Sequence, residues 1–256
     1  MKVNNMEKHD ILNISILSVS LNELLANLKE GVVFTPNVDH LMKLQKDRSF
    51  YEAYKKADWV ICDSKILGLA AKVLNKPFKE VIPGSSLLPA FFEYHKTNED
   101  VKTFLLGSLE GIALQAKKKV NEKTGRRIVV GGHSPSFGFE KNEAECLKIV
   151  DIINESGANV LIVGVGAPKQ ENWIMKYRDK LPNVKLFMAL GATIDFEADH
   201  IKRAPSIYQK LHIEWYYRLI KEPKRLWKRY LVDDLPFVWY VMQQKLGLYK
   251  DPFLEK

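Results

Sequence analysis

The sequence predicts an α/β protein: a Rossmann-like, doubly wound, mostly parallel sheet with a helical appendage at its C-terminal end. Three observations lead there. Short apolar runs of strand length, such as 160–163, are unbroken rather than alternating, which is the pattern of strands covered on both faces. Each run ends in Gly, Pro or small polar residues, and apolar residues then recur at helical spacing. Beyond Thr193 the chain changes character: 194–203 reads as a short mixed loop, and after Pro205 the chain reads as helices without a further strand. This places an α/β core at 1–194 and a basic, aromatic-rich appendage at 195–256.

The 256 residues are enough for one large core with an appendage. The N-terminal ten residues are polar and of mixed charge, unlike a signal peptide, and no apolar run approaches the ~18 residues that span a bilayer. The expected location is therefore cytoplasmic. Cys62 and Cys146 show neither metal spacing nor a disulfide framework. The net charge of +8 is concentrated: residues 202–229 hold nine Lys/Arg against two Glu. Such a block suits an anionic membrane, a nucleic acid or a diphosphate.

In chain order, residues 11–20 alternate weakly, as an edge strand or hairpin does, and a helix follows over 21–29. A core strand at 32–34 ends in Thr35-Pro36-Asn37, after which Leu41, Leu44 and Tyr51 continue at helical spacing. Thr35 and Asn37 are helix-cap residue types, and a cap can also contact a ligand. The strand at 59–62 delivers Asp63 to the same edge of the sheet, ahead of a helix over 66–74. A carboxylate there is placed for general-base work, although capping explains a lone Asp equally well. Pro83-Gly84-Ser85-Ser86 opens a helix over 87–94, with the two serines as cap candidates.

Two further strand and turn units lie at 103–108 and 128–132. The aromatic loop 133–139 is long enough to form a flap over the site. The last strand is 185–190, giving about six strands joined by right-handed crossovers.

The stretch 159–173 changes from strand to helix within a few residues. Gly164 and Gly166 end the strand, Pro168 opens a helix, and Trp173, Ile174 and Tyr177 recur on one side of it. In a parallel sheet this turn lies at the ligand-binding edge, and a helix start there offers N–H groups to an anion. Lys169 and Gln170 pair a cation with a two-way amide, suited to a phosphate and a sugar or base edge. An ordinary connection with solvated Lys and Gln also fits the segment. It is neither a dinucleotide fingerprint nor a Walker loop, since Lys169 stands where a third glycine is required.

In the appendage, Pro223 starts a new helix or kinks the old one; Arg218, Arg225 and Arg229, spaced seven and four apart among Trp215, Leu219, Leu226, Trp227 and Tyr230, would share one face if the helix continued through it. Basic residues interleaved with Trp and Tyr suit a bilayer interface. His40, His133 and His212 occur singly, without the companions that metal ligation needs. Glu197 and Asp199 are only a weak imitation of acidic metal ligands, so no metal site is expected.

Taken together, Thr35-x-Asn37, Asp63, Gly164-x-Gly166-x-Pro168-Lys169-Gln170-Glu171-x-Trp173, and the motif from Lys202-Arg203-Ala204-Pro205 through Glu214-Trp215, Arg218, Pro223 and Arg225-Leu226 resemble the WecG/TagA/CpsF glycosyltransferase family (glycosyltransferase family 26). The resemblance covers nearly the whole chain. It implies an inverting, metal-independent hexosyltransferase that uses a UDP-sugar and needs no cofactor. The acceptor it implies is a polyprenyl-diphosphate-linked sugar, typically N-acetylglucosaminyl-diphospho-undecaprenol. N-acetylmannosamine is the leading donor sugar, in teichoic acid or polysaccharide synthesis, and hexose transfer in capsule or exopolysaccharide synthesis is the alternative.

By position, Asp63 resembles the proposed catalytic base, with Thr35 and Asn37 beside it. Gln170 is placed on the nucleotide-sugar, with Gly164, Gly166 and Lys169 around it. Arg218, Arg225 and Arg229 resemble the appendage cations that bind the membrane and complete the site. The expected location sharpens to the inner face of the cell membrane, peripheral, with no nucleic acid bound and a homo-oligomer left open. Three positions depart from the family pattern: Ser64 follows Asp63 where Gly is common, Val81 replaces an Arg, and Ser86 stands where Asp is frequent. Lys79 is a nearby replacement for the missing cation. Two classes compete: a non-catalytic nucleotide-binding regulator of the same fold, and a nucleic-acid binder that would use the basic block as its footprint.

Overall fold

The computed structural model describes residues 6–201 and 233–254, together with Trp227. The described chain begins with an antiparallel hairpin, β1 (Lys8–Ile11) and β2 (Ile14–Leu17). Next is α1 (Leu21–Asn27), started by a capping box in which Ser20 and Glu23 exchange side chain-to-backbone bonds. Then come β3 (Gly31–Phe34), α2 (Val38–Lys43), α3 (Arg48–Lys55), β4 (Trp59–Val60), α4 (Lys65–Val73) and α5 (Gly84–Tyr94). The second half runs β5 (Thr103–Gly107), α6 (Ile112–Thr124), β6 (Val129–His133), α7 (Glu143–Glu155), β7 (Val160–Gly164), α8 (Lys169–Tyr177), β8 (Leu186–Ala189) and α9 (Thr193–Glu197). The last described helix is α10 (Pro236–Lys245).

Strands β3 to β8 form one sheet in the order β4-β3-β8-β7-β5-β6, and every pair in it is parallel. The hairpin adds to its edge through a parallel bridge between Leu17 and Ile61. Every residue of β7 and β8 is buried, and their alternate side chains feed two different cores. Leu161, Val163 and Phe187 pack with α2, α3, α4, α7 and α8, while Ile162, Leu186 and Met188 pack with α1, α5, α6 and α9. The unbroken apolar runs follow from this: a strand with helices on both faces has no wet side to place polar residues on.

The winding reverses between β5 and β7. Helix α6, which follows β5, lies on one face, and α8, which follows β7, lies on the other. The loops after these two strands therefore lead to opposite faces from the carboxyl end of the sheet, the usual ligand position in such folds.

Three local readings change. The helix expected after Thr35 is two helices, because the Asp47 side chain accepts from Phe50 N–H and starts α3 anew. Helix α5 starts earlier, at Gly84, and its cap position is Pro83, so Ser85 and Ser86 lie in its first turn rather than capping it. The segment after Thr193, expected as a loop, carries the short helix α9, whose Ile194 is fully buried and joined in the core by Ala198 just beyond it. The core layer thus extends past residue 194.

The described C-terminal residues are tied to the core. On α10, Gln244 accepts from Leu12 N–H at 2.9 Å and donates to Asp10 O at 2.9 Å, closing onto the hairpin. Tyr249 donates to Gln45 at 2.7 Å, and Tyr51 donates to Asp251 at 2.9 Å. Phe237 and Val241 are buried, while Leu235, Val238, Trp239 and Met242 are exposed.

Candidate active site

The carboxyl ends of β4, β3, β8 and β7 are stitched into one continuous edge. Asp63 N–H donates to Pro36 O at 3.1 Å, joining the loops after β4 and β3. Thr35 hydroxyl donates to Ala189 O at 3.3 Å, joining β3 to β8. Gln170 Oε1 accepts from Gly166 N–H and Gly191 N–H, each at 3.2 Å, joining the turns after β7 and β8. Asp63, Thr35, Gly164, Gly166 and Gln170, widely separated in sequence, therefore meet at one edge.

Asp63 is half-buried, and its Oδ1 accepts from Gly84 N–H at 3.0 Å. Gly84 is the first residue of α5. The carboxylate therefore serves α5 across the fold, while Ser64 caps α4 through a bond from Leu67 N–H. A helix start is a favourable place for an anion, so α5 both holds and orients this group. Ser64, one of the departures from the family pattern, has a capping task of its own.

Gln170 is 2 % exposed, and both ends of its amide are engaged, since Nε2 donates to Glu171 Oε1 at 2.8 Å. It reaches the site edge through the two glycine turns. The first turn of α8 is also less open to an anion than a bare helix start: Gln170 N–H donates to Gly166 O at 3.1 Å, and the Glu171 carboxylate takes its own backbone N–H. Asn37 caps α2, accepting from His40 N–H at 3.2 Å.

Lys169 points to the rim. Its Nζ lies 3.4 Å from Glu140 and 4.9 Å from the ring of Phe137, a fully exposed residue of the 133–139 loop. That loop is pinned at the same edge by Ser134, which donates to Gly107 O at 3.1 Å. Glu145 secures its other side through Ser136.

Lys79 does not replace the absent Arg at the site. It pairs with Glu23 of α1 at 3.1 Å, and its backbone N–H donates to Ser18. Val81 instead packs against Gly68 of α4, where an added Cβ would lie 2.7 Å from its methyl. Arg218, Arg225 and Arg229 lie outside the described residues.

Glycines stand at the ends of β5 and β7 and after β8 for a steric reason. A Cβ on Gly107 would meet Gly164 O at 2.4 Å, and one on Gly164 would meet Gly191 O at 2.4 Å. The ends of β5, β7 and β8 approach more closely than side chains would allow.

Beneath the edge lies a buried polar layer that sequence reasoning missed. Glu171 is fully buried, and burial pushes its carboxyl up to about 7, partly offset by the hydrogen bond from Gln170. His40 Nδ1 and Tyr54 hydroxyl share a bond of 2.7 Å. Tyr54 is held well above its ordinary value by burial and then by the charges of Glu171, Asp63 and Asp39. Helical spacing contained the signal: Gln170 precedes the buried Trp173, Ile174 and Tyr177 by three, four and seven positions, which puts it on their stripe.

Other reactive groups are placed elsewhere. Burial pushes the Cys62 thiol up to about 12, so it is no nucleophile at neutral pH. Asp199 pairs with Lys119 at 2.7 Å. Among the described residues, no three His, Cys, Asp or Glu side chains converge on one point.

An open parallel-sheet edge with an oriented carboxylate fits many transferases, so fold and geometry leave the chemistry undecided. Residues 9–251 match the family model described as Glycosyl transferase WecG/TagA/CpsF family. The chain belongs to this family. The glycosyltransferase activity of the WecG/TagA/CpsF family is thereby assigned to the chain.

Proposed function

We propose that this WecG/TagA/CpsF member is an inverting transferase. It moves a sugar, with N-acetylmannosamine the leading candidate, from a UDP-sugar to N-acetylglucosamine linked through diphosphate to undecaprenol. The observation that carries the reading is Asp63, oriented by Gly84 N–H at the open edge beside Thr35. At the usual strand spacing the edge from β4 to β7 is about 14 Å long, enough for a sugar and its diphosphate.

In this reading Asp63 accepts the proton of the acceptor hydroxyl as that oxygen attacks the anomeric carbon. UDP leaves from the opposite face, so the centre inverts. The charge on the departing diphosphate is met by cations, with Arg218, Arg225 and Arg229 assigned to this by resemblance and Lys169 standing at the rim. No metal is given a role. The site works at the inner membrane face, within cell-surface polymer synthesis. Exposed Val238, Trp239 and Met242 on α10, with Leu235 just before it, support that placement, because an apolar and aromatic helix face suits a bilayer interface.

The test is a screen of UDP-sugars against a short-chain lipid-diphosphate-N-acetylglucosamine acceptor, reading product mass and anomeric configuration. Transfer with inversion is expected, and Asp63→Asn should lower it about 10²–10⁴-fold. Hexose as the preferred donor would move the protein to capsule or exopolysaccharide synthesis. Tight UDP binding without transfer from any donor would replace the transferase with a nucleotide-binding regulator.

A further inference from the structure

Glu171 is an acid in a costly place. It is fully buried and third in α8, and the usual reason for a Glu at that position is absent. A third-position Glu commonly reaches back to the N–H of the cap residue. Here the cap residue is Pro168, which has no N–H. Besides its own backbone N–H, the bond that the carboxyl makes is with Gln170 Nε2, at 2.8 Å, and its Oε2 has no hydrogen-bond partner among the described residues. A leucine would fill the position beside Ile174 without the desolvation cost.

The partner explains the acid. An amide side chain can be turned end for end, and its neighbours decide which way it points. With Gln170 the choice matters, because Oε1 faces two backbone donors, Gly166 N–H and Gly191 N–H. Turned over, the amide would set its NH2 against both donors and its oxygen against a carboxyl.

We infer that Glu171 is a positioning residue: it holds the Gln170 amide in the orientation that clamps the turns after β7 and β8, and so sets the shape of the site from behind. Gln170 then acts on the substrate through Gly166 and Gly191 rather than by touching it. The effect on transfer rests on the function proposed above. The clamp itself does not.

The experiment reads the clamp directly, by hydrogen exchange of the Gly166 and Gly191 amides in the intact protein without substrate. Glu171→Leu should speed exchange at both amides about tenfold, the scale of one hydrogen bond, with other β7 and β8 amides less affected. In a transfer assay the same variant should raise the donor KM or lower kcat by about the same factor. Glu171→Gln keeps an acceptor oxygen for Gln170 Nε2 and should stay within about threefold of the parent.

Gln170→Glu sets two acids side by side and should loosen both amides, whereas Gln170→Glu with Glu171→Gln restores the bond in reverse polarity and should recover protection. Unchanged exchange at Gly166 and Gly191 in Glu171→Leu would overturn the inference. If that variant does not fold, failure of Glu171→Gln to rescue Gln170→Glu overturns it instead. Because exchange needs no substrate, a protein that transfers nothing would refute the proposed function and leave the clamp to stand or fall separately.

Discussion

Replacing Glu171 by Gln should change how stability depends on pH. The carboxyl moves from an ordinary value of 4.5 to about 7 in the fold, because burial disfavours its charged form. At about 1.4 kcal/mol per unit, that gap corresponds to roughly 3 kcal/mol. The sign follows from proton counting. Between the two values the folded protein holds a proton that the unfolded chain has released, so stability falls as pH rises. The contribution of this group is complete below about pH 4.5 and lost by the time pH has passed about 7. The charged and titratable groups around it, Lys43 and Asp39 on α2 and Tyr54 on α3, remain in the variant.

Glutamine has the same shape and no proton to lose. The stability of the variant relative to the parent should therefore climb by about 1.4 kcal/mol per pH unit over this window and then level off. Urea unfolding of both proteins at several pH values between about 4.5 and 8 measures the difference. A difference independent of pH would refute the claim that Glu171 is protonated by burial.

Three further outcomes are expected. Gly164→Ala forces a Cβ to 2.4 Å from Gly191 O, so it should cost about 1–3 kcal/mol and push the ends of β7 and β8 apart, seen as a lower melting temperature and weaker UDP binding. Normal stability and binding would show that the strand ends can relax apart. Gln244→Ala removes two bonds between α10 and the hairpin and should cost about 1–3 kcal/mol in chemical unfolding, with transfer to a soluble acceptor unchanged. Single Arg→Ala changes at 218, 225 and 229 should divide into those that slow transfer even on a soluble acceptor and those that only release the protein from anionic liposomes. If all three leave turnover on the soluble acceptor intact, their proposed role against the diphosphate is wrong.

The strands were legible because a doubly covered strand has to be apolar throughout, and a run such as Val160-Leu161-Ile162-Val163 admits few other readings. Asp63 was legible for a related reason: a carboxylate directly after such a run has to emerge at the carboxyl edge. Its partner was not, since Gly84 lies 21 positions away and nothing local links the two. Gln170 shows the same limit. Its sequence neighbours suggested a ligand contact, and nothing local showed that its amide also holds Gly191, again 21 positions distant. The break between α2 and α3 was hidden because Leu41, Leu44 and Tyr51 keep helical spacing across it, and one Asp47 cap outweighs that rhythm. The docking of α10 on the hairpin joins residues more than 230 positions apart, beyond any local pattern.

That docking has a consequence for the basic stretch. The described chain leaves the core after Ile201, whose N–H still donates to Asp195 O, and is fastened again from α10 to Asp251. The two described segments that flank residues 202–232, the two banks of that stretch, are thus each fastened to the core. A truncation after residue 193 cuts both moorings at once and also removes α9 and α10. Excising the span between the moorings and joining the banks with a short flexible linker would remove the cations while leaving the core closed.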